Sequence, residues 1–160
     1  MEIGSYNTFA MYKTLFSFIM TLLLTSNVWA QNVRYVVVST EAESTTIVKL
    51  QIKTFSQDKD LVDAEVQCAA IRAVLFDGIP NTAYHKPLLN DGEKTMMNKH
   101  SAYFSDLYAN RYTDFIAGYK ALSKFKKADK DKSTLYEVRV KAHSLRKDIE
   151  KNKIKKQFGL

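Results

Sequence analysis

The chain has 160 residues, a net charge of +7 and one cysteine, Cys68. A lone cysteine excludes an internal disulfide framework, so any fold must be held by packing. With 5 glycines, two of them Gly4 and Gly159 at the extreme ends, and no HExxH or CxxC spacing, phosphate-loop and common zinc chemistries are excluded as well.

The first element is a targeting segment. "MYKTLFSFIMTLLLTSNVWA" has a basic Lys13, an apolar run from Leu15 to Leu24 broken only by Ser17 and Thr21, and Val28-Trp29-Ala30. This is the pattern of a signal peptide cleaved after Ala30, with Met11 a plausible true start. The apolar run is too short to span a bilayer, which needs about 20 residues. No cysteine sits at the cleavage point, where Gln31 follows Ala30, so the sequence argues against a lipoprotein. The expectation is an exported protein of the periplasm or outer-membrane periphery, with residues 31–160 forming one domain and no stable transmembrane segment left after cleavage.

Charge divides that domain. Residues 31–114 carry 9 Lys+Arg against 11 Asp+Glu, whereas residues 115–160 carry 14 against 5. A basic C-terminal third could contact an anionic partner such as a phosphate or a lipid headgroup; the plainer reading, which the composition favours, is an ordinary lysine-rich solvated surface.

Two strands open the domain. "VRYVVVST" (33–40) is rich in β-branched residues and reads as a buried strand, and "TIVKLQIKTF" (46–55) alternates with Val48, Leu50 and Ile52 on one face. The period then changes. In "DKDLVDAEVQCAAIRAVLFDG" the apolar stripe Leu61, Ala64, Cys68, Ile71, Leu75 marks a helix, with Val62, Val66, Ala69, Ala73 and Phe76 as a second row and Asp58 or Asp60 as its cap. Gly78 is expected as the left-handed C′ residue, Ile79 as its hydrophobic C″ contact, and Pro80 as the stop.

Residues 79–90 hold both prolines and read as a loop. Residues 90–110 read as a second helix capped by Asn90 or Asp91, with Met96, Met97, His100, Tyr103, Phe104 and Leu107 in its stripe. "FIAGYKALSKFKK" (115–127) and "TLYEVRVKA" (134–142) read as a hairpin; in the second, Tyr136, Val138 and Val140 share a face. Ser144 is a candidate cap for a short helix carrying Leu145 and Ile149, and "IKKQFGL" is a possible last strand. The order β-β-α-α-β-β-α(-β) specifies an α+β two-layer sandwich, a mainly antiparallel sheet with helices on one face.

"VQCAAIRAVLFDGIP", "HSAYFSDLY" and "VRVKAHSLRKDIEKNKI" resemble a group of small exported proteins of Gram-negative bacteria with no known activity. More distantly, the strand followed by an Ala-rich helix is similar to small outer-membrane lipoproteins and to the N-terminal domain of flagellar assembly proteins. The near resemblance covers most of residues 31–160. It implies a fold, through packing and turn motifs, and carries no catalytic residue across.

Chemical candidates are few. Cys68 sits mid-helix on an apolar stripe, away from the helix dipole that would favour a thiolate, so its expected role is structural, as for Gly78 and Pro80. His85, His100 and His143 lack the i+3 or i+4 partners of a metal site, and no metal or cofactor is expected. Asp58, Asp60, Asp63 and Glu65 fit a helix start rich in acids. Tyr103, Phe104, Tyr108, Tyr112, Phe115 and Tyr119 fit a core or an interface, and export argues against nucleic acid as their partner. The reading is a non-enzymatic cell-envelope module that binds another envelope protein or an anionic surface polymer. Its expected contacts are Lys120, Lys124, Lys126, Lys127, Lys130 and Lys132 on the basic hairpin, with His85 in the loop 79–90. The alternative is a small periplasmic hydrolase using Cys68 or a loop histidine.

Overall fold

The computed structural model of the chain describes residues 34–128 and 132–155. The targeting segment, Lys130 and the last residues of the tail lie outside these. Strand β1 is Tyr35–Ala42 and β2 is Val48–Thr54; β3 is Ile116–Ala121 and β4 is Thr134–Val140. They form one antiparallel sheet in the order β1-β2-β4-β3. The first helix, α1, is Val62–Arg72 and runs on into a π-helical turn, Ala73–Asp77. Helices α2 (Glu93–Lys99) and α3 (Ser101–Asp106) follow, the latter continuing through a π turn and a 3-10 turn to Phe115. Helix α4 is Ala142–Lys151. The fold is α+β.

The period-two pattern decides which face of the sheet is covered. Val48, Leu50 and Ile52 on β2 and Val138 and Val140 on β4 are fully buried, and Tyr136 nearly so, while Lys49, Gln51, Leu135, Glu137 and Arg139 between them are only partly covered. In the ladder Leu50 stands opposite Val138 and Val48 opposite Val140, so one continuous apolar face is presented to α1. Val62, Val66, Ala70, Ile71 and Val74 join it in a single core with Phe104, Leu107, Leu145 and Ile149. The small side chains of Ala69, Ala70 and Ala73 are almost wholly buried and let α1 lie close to the strands.

Several expectations change. The "VVVST" strand is not buried: it is the sheet's edge, with Val36 46% and Val38 44% exposed. Its composition says strand, but position in a sheet is fixed by the ladder, and among the described residues only β2 pairs with it. On α1 and the turn after it both expected rows reach the core: Ile71 and Leu75 of the first and Val62, Val66, Ala69 and Ala73 of the second are buried, whereas Leu61 is exposed and Ala64, Cys68 and Phe76 are half-buried.

Capping also differs. Asp58 caps nothing on α1: its carboxylate accepts from the Asp60 N–H at 2.8 Å, and Leu61 occupies the N-cap without a side-chain bond. Gly92, not Asn90 or Asp91, precedes α2, and Lys141, not Ser144, precedes α4. The second helix is broken at His100, which has φ −126° and ψ 41° and joins α2 to α3. The strand 115–127 stops at Ala121. Among the described residues the tail adds no strand.

The turn after α1 is not the expected one either. Gly78 has φ 75° but ψ 163°, an extended rather than helical left-handed conformation. Its N–H donates to the Ala73 carbonyl at 2.9 Å, while Ile79 sends its N–H forward to the Tyr84 carbonyl at 2.7 Å instead of back to the helix. The carbonyls at the helix end are satisfied by the loop: Leu89 N–H reaches the Leu75 oxygen at 2.8 Å and Leu88 N–H the Val74 oxygen at 3.4 Å.

Candidate functional site

The loop 79–90, one of the two expected contact surfaces, is a strap. Ile79, Tyr84, Leu88 and Leu89 are buried. The Tyr84 hydroxyl donates to the Thr45 carbonyl at 3.2 Å, and the Lys155 ammonium donates to the Leu88 carbonyl. Desolvation holds that lysine below its ordinary range. His85 is exposed on the outside of the strap and Pro80 is exposed where it leaves Gly78. The loop therefore offers His85 alone of the expected site residues.

The basic hairpin divides into a strand part and a connecting part. Lys120 lies on β3 and pairs with Glu137 across the ladder at 3.1 Å. Beyond the strand, Lys124, Lys126 and Lys127 are exposed and form no ion pair with another described residue. Phe125, partly buried against the core, fixes the segment between them. The Lys126 N–H donates to the Thr134 hydroxyl at 2.9 Å and the Ala128 N–H to the Ser56 carbonyl at 2.8 Å, so the backbone under the charges is tied down at both ends. Lys132 is exposed on the returning side, and Lys130 is outside the described residues. The structure thus gathers Lys124, Lys126, Lys127 and Lys132 at one connection and separates them from Lys120 and His85.

Cys68 faces the interior instead. Its Sγ lies 3.7 Å from the Tyr108 carbonyl oxygen. Burial pushes the thiol up to about 12, opposed only in part by the Arg72 guanidinium, so the thiol is protonated near neutral pH and is a poor nucleophile. Arg72 is itself committed to Glu93 at 2.5 Å and stands over the Tyr108 ring at 5.8 Å. Among the described residues no group of His, Cys, Asp and Glu is arranged to hold a metal ion. The acid cluster around the start of α1 has a structural use: Asp63, in its first turn, accepts the Tyr136 hydroxyl at 2.9 Å and the Tyr119 hydroxyl at 3.3 Å, clasping α1 to β4 and β3. The expected aromatic group is mostly interior. Phe104 meets Tyr103 edge-on at 5.2 Å and stacks with Tyr108 at 6.1 Å, leaving only Tyr119 largely exposed.

A surface that the sequence reading missed runs beside β1. A groove of about 600 Å³ is lined by the strand from Tyr35 to Thr40 and, opposite, by Asp77, Gly78 and Pro80. Both of its ends are tied: the Tyr35 hydroxyl donates to the Asp77 carboxylate at 3.1 Å and the Thr40 hydroxyl to the Pro80 carbonyl at 3.1 Å. Burial first, and then the Asp77 carboxylate, hold the Tyr35 phenol protonated well above its usual range. The one sequence signal for this surface was the polar run Ser39-Thr40-Glu41 closing an otherwise apolar strand, which suits an edge better than a centre.

No protein-family model, curated protein or solved structure matches this chain. Among the described residues no helix is long and apolar enough to cross a membrane.

Proposed function

We propose that this chain is an exported, non-enzymatic module of the cell envelope that binds an anionic component, another envelope protein or a surface polymer, through the connection after β3. The observation that supports the reading is the row Lys124, Lys126, Lys127, exposed on a backbone anchored to Thr134 and Ser56 and without ion-pair partners among the described residues. Lysines that are not paired within their own fold keep their charge available to a partner, and the association they drive weakens with salt. The signal-like segment ending at Ala30 supports export, and the kinship to small exported Gram-negative proteins belongs to the same proposal.

The test is a triple reversal, K124E/K126E/K127E, with K94E/K99E on α2 as the control. Capture of envelope partners by the tagged full chain should be lost in the triple variant, kept in the control, and fall with rising salt in the wild type. Equal capture by all three would remove the hairpin connection from the reading. Recovery of the tagged chain in the cytoplasmic fraction would remove export.

A further inference from the structure

The two edges of the sheet are protected unequally. On β3 the exposed edge carries Lys120 and leads directly into further lysines, a common device against edge-to-edge pairing. β1 has neither lysine nor proline between Tyr35 and Ala42, and it exposes Val36 and Val38. What β1 does contain is a bulge. Val37 stands opposite Ile52 and Ser39 opposite Gln51, leaving Val38 as an extra residue.

That bulge changes which residues share a face. Tyr35, Val37, Thr40 and Ala42 lie opposite Thr54, Ile52, Leu50 and Val48 and belong to the helix side; Val36, Ser39 and Glu41 lie opposite Lys53, Gln51 and Lys49 and belong to the open side. In a regular strand Tyr35 and Thr40, an odd number of residues apart, would point to opposite faces. Here they point to the same one, as do Val36 and Ser39. When two copies of a strand pair antiparallel about a two-fold axis normal to the sheet, residues opposite each other must share a face. A pairing of Tyr35 with Thr40 of the second copy meets that condition, places Val36 against its Ser39, and by the same register sets Arg34 against its Glu41. Each contact occurs twice. Two opposite-charge pairs therefore close the ends of the ladder, and at its centre Val38 of each copy meets Val37 of the other. Both charged side chains are solvent-facing: Arg34 rests on the Phe55 ring at 4.7 Å, and Glu41 reaches Lys49 at 2.5 Å while keeping 62% of its side chain exposed.

We propose that β1 is a homodimer interface, in which a second copy of this chain extends the sheet across its free edge in this register. The surface is distinct from the lysine connection, so it stands or falls independently of the function proposed above.

Cross-linking of the full chain in a C68A background tests the pairing. V36C and S39C are prepared separately, and each is oxidised alone and after mixing in equal amounts. In the proposed register residue 36 of one copy faces residue 39 of the other; because Val38 is an extra residue, like residues are two ladder steps apart along the strand, about 8 Å when the steps of about 3.3 Å are combined with the strand spacing of about 4.8 Å, beyond the about 7 Å limit for a disulfide. The mixture should give a covalent dimer and neither single variant should. Cross-linking within a single variant, or none in the mixture, would overturn the register. Charge supplies a second arm: R34E and E41R should each shift sedimentation toward monomer, and R34E/E41R should restore the dimer. A wild type that sediments as a monomer at every concentration would overturn the interface and leave the edge to an extended segment of a different protein.

Discussion

The backbone N–H of Ile154 donates to the Ile149 carbonyl oxygen at 2.9 Å, and beneath it the Lys153 N–H reaches the Glu150 oxygen at 3.0 Å. These are the paired bonds of a Schellman turn, and they close α4 with Ile154 tucked against Ile149, both buried. The residue that makes the turn is Lys153, at φ 57°. A side chain in that conformation costs about 1 kcal/mol or more, which glycine does not incur. Lys153→Gly should therefore stabilise the protein by up to about 1 kcal/mol. Chemical denaturation of the two proteins checks this; an unchanged or lowered midpoint would count against the turn.

Gly78 makes the opposite case. A β-carbon there would sit 2.6 Å from the His85 carbonyl oxygen and 2.9 Å from the Pro87 nitrogen, both backbone atoms of the strap, at a φ of 75° that already disfavours any side chain. Gly78→Ala should cost about 2 kcal/mol or more, because strain at φ adds to displacement of the strap from the helix end. Gly92, whose added β-carbon would meet nothing within 4 Å, is the control: Gly92→Ser should be neutral or slightly stabilising. Melting temperatures of the pair decide it, and equal losses at both sites would remove the strap from the explanation.

Cys68 makes stability depend on pH in a definite direction. Its folded-state value of about 12 lies above the ordinary thiol range, so the folded protein binds the thiol proton more tightly than the unfolded chain does. The stabilisation is complete below the unfolded thiol range, near about 8.5, and is lost as pH rises from there through about 12. The Tyr35 and Tyr103 phenols, raised chiefly by burial, act with the same sign at still higher pH. Melting of the wild type should fall more steeply than that of Cys68→Ala above the thiol range. Native Cys68 should also react slowly with a thiol reagent near neutral pH and quickly in denaturant. Fast native labelling would return the cysteine to candidacy as a nucleophile.

Two neighbouring tyrosines should respond differently to loss of their hydroxyls. The Tyr103 hydroxyl donates to Asp148 at 2.8 Å, and Asp148 is held in turn by Arg111 at 3.2 Å. The buried Tyr108 hydroxyl has no hydrogen-bond partner among the described residues. Tyr103→Phe should cost about 1–2 kcal/mol, whereas Tyr108→Phe should be neutral or stabilising. Equal losses in denaturant titrations would show that the Tyr108 hydroxyl is satisfied after all.

What sequence could reveal followed from local period and composition. The alternation in β2 and β4 named the buried faces residue by residue, and Leu145 with Ile149 located the packed face of α4, because side-chain direction follows directly from residue spacing. The helix ends were less legible. Three expected caps, at Asp58 or Asp60, Asn90 or Asp91, and Ser144, gave way to residues with no capping side chain. In two of these helices tertiary bonds hold the ends: the strap satisfies the carbonyls ending α1, and the His143 N–H near the start of α4 donates to the Thr46 carbonyl at 3.2 Å. A glycine motif was expected after α1, yet the Schellman turn formed after α4 on a lysine, where no composition signal marks it.

By itself, then, the sequence determined the α+β class, the alternating core faces of β2 and β4, and the packed face of α4. Only the tertiary structure decided which strand lies at an edge, that the loop 79–90 is fastened down by Leu88, Leu89 and Tyr84, and that Val38 is an extra residue in its ladder. The physical reason is that periodicity fixes where a side chain points along its own element, whereas an edge, a strap and a bulge are defined by which other backbone supplies the hydrogen-bond partner, and that partner is many residues away.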